Sequence, residues 1–331
     1  MKQPEHSSLA ELEAYIRGRV LPEMNMAGRS FALEQTGLGN RNKIFFLNID
    51  DAGAYILKGF TEKYRMKNSL KAHDFLARHT IPTPRVFFSD LTQNTFERFG
   101  CFFSCEERIA GKPLAELAHA PEAIPRIARF FAHMHAIRSF RWGKLNNRQL
   151  INFTGYTMRR IMERLAALKD SGSCPGDAGA DEAWQWFEQR KKKLKAIKRF
   201  SLCHGDVNPA NILFAADNSI VLIDNEAIKY LPFPIEYYRL QFSLCGDSAE
   251  ARQLFEESYF SHARPGRRRE LALCGDFFRA YVLLEFVWHY NKKLKQQPEG
   301  DAALQYYAEH KKKAAGALAA MIGSAGEKTC I

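Results

Sequence analysis

A chain of 331 residues, nearly half of them apolar, can bury more than one hydrophobic core, so two lobes are expected. The polar N-terminus reads as no secretory signal, and no uninterrupted apolar run is long enough to span a bilayer. The formal net charge of +11 favours an anionic partner, such as a phosphorylated glycan, an acidic membrane surface or nucleic acid, and disfavours a polycationic substrate. The seven cysteines (101, 105, 174, 203, 245, 274 and 330) form no Cys-x-x-Cys pair, as expected of reduced thiols in a cytoplasmic protein. Cys330, next to last, fits no prenylation box. No internal repeat and no nucleic-acid motif is found, so nucleic acid is not an expected partner.

The apolar spacing of Leu9, Leu12, Tyr15, Ile16 and Val20 predicts a leading helix over 8–20, ended near Pro22. Alternating segments at Phe31–Thr36, Ile44–Ile49 and Tyr55–Phe60 predict an antiparallel sheet. The first connection, residues 37–43, contains Gly37, Gly39, Asn40 and Asn42. Such residues let the backbone turn tightly and offer N–H groups to phosphates. Asn68–His79 reads as a helix that stops before Pro82. Cys101–Arg108 then reads as a strand, and Ala123–Ile137 as a strongly apolar helix. That helix carries His133 and His135 two residues apart, which cannot share a face, so a metal pair is not expected there.

Helical patterns follow at 147–169, with Arg159, Arg160 and Arg164, and at 182–199, whose basic run from Arg190 to Arg199 is expected to be a solvated face. The Gly-, Ser- and Asp-rich stretch 171–181 between them reads as a loop. In the all-helical last hundred residues, Phe277–Tyr290 mixes Tyr281, Glu285, Trp288 and His289 among aliphatics. That composition suits a buried helix and, as an alternative, a cage for a quaternary amine.

The most informative stretch is 202–226. Two short apolar runs, Ile212–Phe214 and Ile220–Ile223, flank the turn formers Ala-Ala-Asp-Asn-Ser and predict a hairpin. Asp206 precedes the first strand, Asn211 stands at its entrance, and Asp224 closes the second. A carboxylate in a loop can accept the proton of an attacking hydroxyl. An amide oxygen and a second carboxylate can hold magnesium ions that bridge nucleotide phosphates.

His204-Gly205-Asp206, with Asn211-Ile212-Leu213 and Ile223-Asp224-Asn225-Glu226, resembles the aminoglycoside phosphotransferase and choline kinase family, which shares the protein-kinase-like fold. The resemblance covers most of 31–240. It implies an α+β fold with two lobes: a small antiparallel-sheet lobe at 1–105 that binds nucleotide, and a larger helical lobe at 106–331 for catalysis and acceptor binding. It implies ATP and Mg2+ as cofactors, Asp206 as catalytic base, and Asn211 and Asp224 as metal ligands. Lys58, at the end of the third strand, becomes the lysine for the α- and β-phosphates. Gly37, Gly39, Asn40 and Asn42 become the phosphate loop, and the strand end near Glu107 the adenine contact.

The sequence departs from the family pattern in two places. The helix after Lys58 lacks the early glutamate that usually pairs with that lysine; Asp74 and Glu62 are the nearest acids, and neither is assigned. The usual Asp-Leu pair is Arg239-Leu240 here, with Glu236 as a counterpart. The expected reaction is transfer of the γ-phosphoryl group of ATP to a hydroxyl of a small molecule or sugar, including a surface-glycan sugar. Amino alcohols and aminoglycosides are the alternative acceptors. A nucleotide-binding pseudokinase is the non-enzymatic alternative, and peripheral contact with an acidic membrane is a further expectation.

Overall fold

The computed structural model describes residues 8–36, 42–116, 122–149, 152–172, 179–296 and 303–323. The chain forms two compact units. The first comprises 1–120, 144–148 and 204–229, and the second 121–143, 149–203 and 230–331. The hairpin therefore packs with the N-terminal residues, a grouping by contact that differs from a division in chain order at 105.

In the first unit, α1 (Leu9–Tyr15) is started by a capping box: Ser8 Oγ accepts from the Glu11 amide, and the Glu11 carboxylate accepts from the Ser8 amide. The helical path continues through Ile16–Val20 and Leu21–Glu23, slightly beyond the expected end because Pro22 sits in the first turn of that last piece, where it is tolerated. Strands β1 (Phe31–Gln35), β2 (Asn42–Ile49), β3 (Gly53–Phe60), β4 (Val86–Asp90) and β5 (Phe102–Glu107) form one antiparallel sheet in the order β1-β2-β3-β5-β4. Alternation explains its core. Phe45, Leu47 and Ile49 of β2 and Tyr55 and Leu57 of β3 point to one face, where Leu12, Tyr15, Ile16, Val20 and Leu21 cover them. Helix α2 (Lys63–Arg78) begins five residues earlier than expected.

Helix α3 (Gln93–Phe99) was not expected. Thr92 caps its start and Gly100, at φ +68°, ends it. Tyr15, Thr95 and the Thr92 amide all donate to the buried Asp90 carboxylate, which joins α1, β4 and α3. Burial alone would raise the pKa of Asp90, but these hydrogen bonds hold it below its ordinary value.

The hairpin strands β7 (Ile212–Ala215) and β8 (Ile220–Leu222) pair as predicted, and β6 (Gly111–Pro113) adds to β7 in a three-stranded sheet. Gly111 is required there: a Cβ would meet Phe214 O at 2.4 Å.

The second unit is built on α4 (Ala123–Ala136), α5 (Phe153–Asp170), α6 (Ala180–Arg190), α7 (Phe233–Cys245), α8 (Ala249–His262), α9 (Arg267–Gln296) and α10 (Ala303–Gly323). Helix α5 starts later than the expected 147 because Asn152 caps it, its Oδ1 accepting the Gly155 amide at 2.8 Å. Helix α6 gives way to a 3-10 turn at Lys191–Ala196, where like charges crowd one segment. The core is rich in aromatic pairs, among them Phe233 stacked on Tyr259 at 5.9 Å; each such pair contributes ~0.5–1.5 kcal/mol beyond its burial. No helix among the described residues is long and apolar enough to cross a membrane.

Candidate active site

Strand Phe200–Cys203 delivers the chain to His204, whose ring is buried and hydrogen-bonds Ile223 O through Nε2 at 2.9 Å. The next residue turns the chain. Gly205 has φ +80°, and a Cβ there would lie 2.5 Å from Ala227 O and 2.6 Å from Lys229 Cε. Glycine is needed for the conformation and for the space. Gly205→Ala is therefore expected to lower stability by ~1–3 kcal/mol and to slow any reaction that uses Asp206. Chemical denaturation and a rate measurement check this together.

Asp206 presents its side chain to solvent. Its carbonyl accepts the Asn211 side-chain amide at 2.9 Å, closing the five-residue loop. Asn208 Oδ1 accepts the Ala210 amide at 2.8 Å, and the Asn211 amide donates to Asn208 O at 3.0 Å, so Pro209–Asn211 forms a single 3-10 turn. The Ile223 amide donates to Asn211 O at 3.1 Å, which locks the entrance of β7 to the exit of β8. With its nitrogen held by Asp206 O, the Asn211 side chain has its oxygen as the group suited to a cation.

Asp224 follows β8 in the left-handed region, at φ +60°. Its Oδ1 lies 2.8 Å from Lys58 Nζ. Burial alone would lower the Lys58 pKa, but Glu106 and Asp224 together raise it. Burial alone would raise the Asp224 pKa, but Lys58 holds it below the ordinary carboxylate value. Both groups are therefore charged at neutral pH. The stability this pair contributes is present above the unfolded-state value of Asp224 and is lost as pH falls through the depressed folded one.

The missing helix glutamate has a replacement from another element. Glu106, on β5 and nearly fully buried, supplies the second negative charge that faces Lys58, and its Oε1 accepts Ser104 Oγ at 2.9 Å. Asp74 instead pairs with Arg78 on the same helix, and Glu62 lies 3.8 Å from Arg65. Neither acid meets Lys58.

Glu226 is held by Asn42, expected instead in the phosphate loop, and by Arg65 and Asn68, which the sequence did not mark. Arg65 pairs with its Oε1 and Asn42 Nδ2 donates to Oε2 at 2.9 Å. Asn68 Nδ2 donates to Glu226 O at 2.8 Å and to Ile228 O at 3.0 Å. Arg65 and Asn68, three apart, share one face of α2, so the helix grips the segment after Asp224 through polar side chains. A cation three residues before an amide, on the helix after Lys58, was the signal available in the sequence.

Gly37, Gly39 and Asn40 lie outside the described residues. Asn42 is committed to Glu226. The Glu107 amide donates to Arg85 O at 2.8 Å and its carboxylate accepts the Arg85 amide at 3.1 Å, so this residue ties β5 to the start of β4.

In the second unit, His135, Cys203 and Glu236 have ligand atoms within 4.8 Å of one another. Both ring nitrogens of His135 are engaged, Nδ1 with Tyr259 Oη at 2.8 Å and Nε2 with Glu236 at 3.1 Å. Burial outweighs Glu236 and lowers the His135 pKa, so this is a neutral hydrogen-bonded core. His133 is exposed, as the two-residue spacing requires. The amine cage is not formed by Glu285: Arg160 and Arg164 each donate to its carboxylate at about 3.1 Å, and Arg164 lies 3.4 Å over the Trp288 ring.

An antiparallel sheet, a hairpin carrying Asp206, Asn211 and Asp224, and a buried lysine paired with Asp224 together define a protein-kinase-like α+β phosphotransferase. The description "Phosphotransferase enzyme family" belongs to the family model that matches residues 32–271, and the chain belongs to that family. Its fold is similar to that of an ethanolamine kinase from Plasmodium vivax (16% identity, TM-score 0.58, covering 91% of this chain and 86% of that one). It is also similar to a thermostable mutant of aminoglycoside phosphotransferase APH(4)-Ia in a ternary complex with AMP-PNP and hygromycin B (13% identity, TM-score 0.60, 94% and 99% covered). A third similar structure is spectinomycin phosphotransferase APH(9)-Ia with ADP and spectinomycin (10% identity, TM-score 0.58, 94% and 95% covered). No curated protein sequence matches the chain.

Proposed function

We propose that this enzyme transfers the γ-phosphoryl group of ATP to a hydroxyl of a small molecule or sugar. The observation that carries the reading is the 2.8 Å pair of Lys58 and Asp224 in the unit that also holds Asp206 and Asn211. Asp206 orients the acceptor hydroxyl and takes its proton as the oxygen attacks the γ-phosphorus and ADP leaves. Lys58 holds the α- and β-phosphates. Gly37, Gly39 and Asn40 are assigned to phosphate binding on their residue types, and the end of β5 near Glu107 holds the base. Asn211 and Asp224 offer the hard oxygen donors that suit Mg2+, whose chemistry here is neutralisation of phosphate charge. Glu226, already gripped by Arg65 and Asn42, orients the turn after Asp224 and does not hold metal. In terms of function, 1–105 is the nucleotide-binding lobe and 106–331 the catalytic and acceptor lobe. We place the enzyme in the cytoplasm, with its ATP.

The acceptor we favour is anionic, such as an acidic or phosphorylated sugar, over an amino alcohol or an aminoglycoside. Glu285, the acid a cationic acceptor would use, is neutralised by Arg160 and Arg164, and the chain carries a net charge of +11. The test is ADP formation with Mg2+ across acidic sugars, neutral sugars, glycolipid cores, amino alcohols and aminoglycosides. Turnover confined to the anionic members supports the reading. ATP bound with no turnover on any acceptor supports a nucleotide-binding partner protein instead.

Asp224→Ala is expected to weaken Mg·ATP binding about ten-fold or more, a loss of at least ~1.4 kcal/mol, and to remove its dependence on Mg2+. Calorimetric titration with and without the metal checks this.

A further inference from the structure

In the second unit, the strand residue Arg138, the chain at Ala196–Arg199 and the first turns of α9 line a cavity of about 310 Å3. Its charged lining is Arg138, Lys198, Arg199, Arg269 and Glu270, and Ile197 contributes an apolar wall. The single carboxylate is already engaged: Arg267 Nη1 donates to Glu270 at 2.9 Å and Arg138 Nη2 at 3.4 Å. Arg267 is a structural cation, buried, and bonded also to Ser201 Oγ and His135 O.

Arg138 is placed differently. Its Nε is buried and has no hydrogen-bond partner among the described residues. Burial lowers its pKa first. Repulsion from Arg267, Arg199 and Arg264 lowers it further, against the attraction of Glu270 alone. Cys274, also on the wall, is pushed up to about 12 by burial and by Glu270, so it stays a neutral thiol and adds no negative charge. Four cations therefore line the cavity beside one carboxylate, and Arg267 and Arg264 add positive charge near Arg138. Lys198, Arg199 and Arg269 lie exposed at the rim, and the half-buried Arg138 forms the floor.

Like charges crowded around a concave, partly desolvated site lack their counter-charge. Guanidinium groups lining such a cavity match phosphate oxygens in geometry as well as in charge. We propose that this cavity binds the phosphate group of a small organic phosphate or of a phospholipid headgroup, with Arg138 at the floor and Lys198 and Arg269 at the rim. The apolar wall at Ile197 and Leu273 suits the organic body that carries the phosphate. Such a site would let the enzyme respond to a phosphorylated metabolite or settle on an acidic membrane. It does not depend on the phosphotransfer reading.

The test uses the whole chain and two probes, in buffer without magnesium. One is inorganic pyrophosphate, followed by calorimetry. The other is phosphatidylcholine vesicles with and without phosphatidic acid, followed by co-sedimentation. Lys198→Gln with Arg269→Gln alters only exposed side chains and is expected to weaken binding about ten-fold, or ~1.4 kcal/mol. Arg138→Gln is expected to weaken it as much. A control that removes two exposed cations elsewhere, Lys292→Gln with Lys312→Gln, is expected to change it less than about two-fold, since bulk charge acts weakly through screened solvent. Binding of pyrophosphate alone identifies a soluble ligand, and binding of phosphatidic acid vesicles alone identifies a headgroup; either supports the site. Binding of neither probe overturns it, and so does an equal loss in the control.

Discussion

Asp206→Ala is expected to fold as the parent chain does, to bind Mg·ATP with unchanged affinity, and to lose turnover by roughly 10²–10⁴-fold. The side chain is exposed, so no buried partner is orphaned. The backbone oxygen that holds Asn211 remains in the alanine variant, so the loop and the oxygen of Asn211 should stay where they are. A loss confined to kcat separates a proton acceptor from a scaffold residue, because it removes an interaction made only as the reaction proceeds. Steady-state kinetics with the best acceptor, alongside circular dichroism, reads both quantities. A variant with near-normal kcat would remove Asp206 from the proton-accepting role.

Arg65→Ala is expected to cost ~3–5 kcal/mol of stability, the range found when one partner of a buried ion pair is removed. Arg65 and Glu226 are both largely buried, with side-chain exposures of 11% and 6%. Truncation leaves the Glu226 carboxylate with Asn42 as its remaining side-chain donor among the described residues. Asn68 still holds the backbone on both sides, so the segment should loosen without detaching. A smaller loss is expected for Arg65→Ala combined with Glu226→Gln, because the uncompensated charge is then gone. Urea denaturation of the two single variants and the double variant measures the coupling. Equal destabilisation in the single and double variants would contradict an ion pair as the source.

The hairpin was legible because each of its parts has a local cause. Turn formers between two apolar runs gave β7 and β8, and glycine at 205 has a position that no other residue fits. The alternation of Phe45, Leu47 and Ile49 gave the sheet and its buried face. What the sequence hid depends on pairing between distant segments. Glu106 faces Lys58 because β3 and β5 are neighbours in register, Lys58 opposite Ser104, and no linear motif records that. Arg65 stands in the helix where an acid was sought, and its partner lies 161 residues away. Helix α3 was missed because 92–100 is polar and short, although its threonine cap and closing glycine were visible. Glu285 shares a helix with Tyr281, Trp288 and His289 in the sequence, whereas its partners come from α5.

Phosphorus NMR of the enzyme with Mg·ATP and an anionic sugar acceptor tests the central claim most directly. Loss of the ATP γ-resonance should be matched by growth of a phosphate-ester resonance and of ADP, and both should be absent with Asp206→Ala. Loss matched only by inorganic phosphate, or an ester formed equally by Asp206→Ala, would contradict transfer to a hydroxyl activated by Asp206.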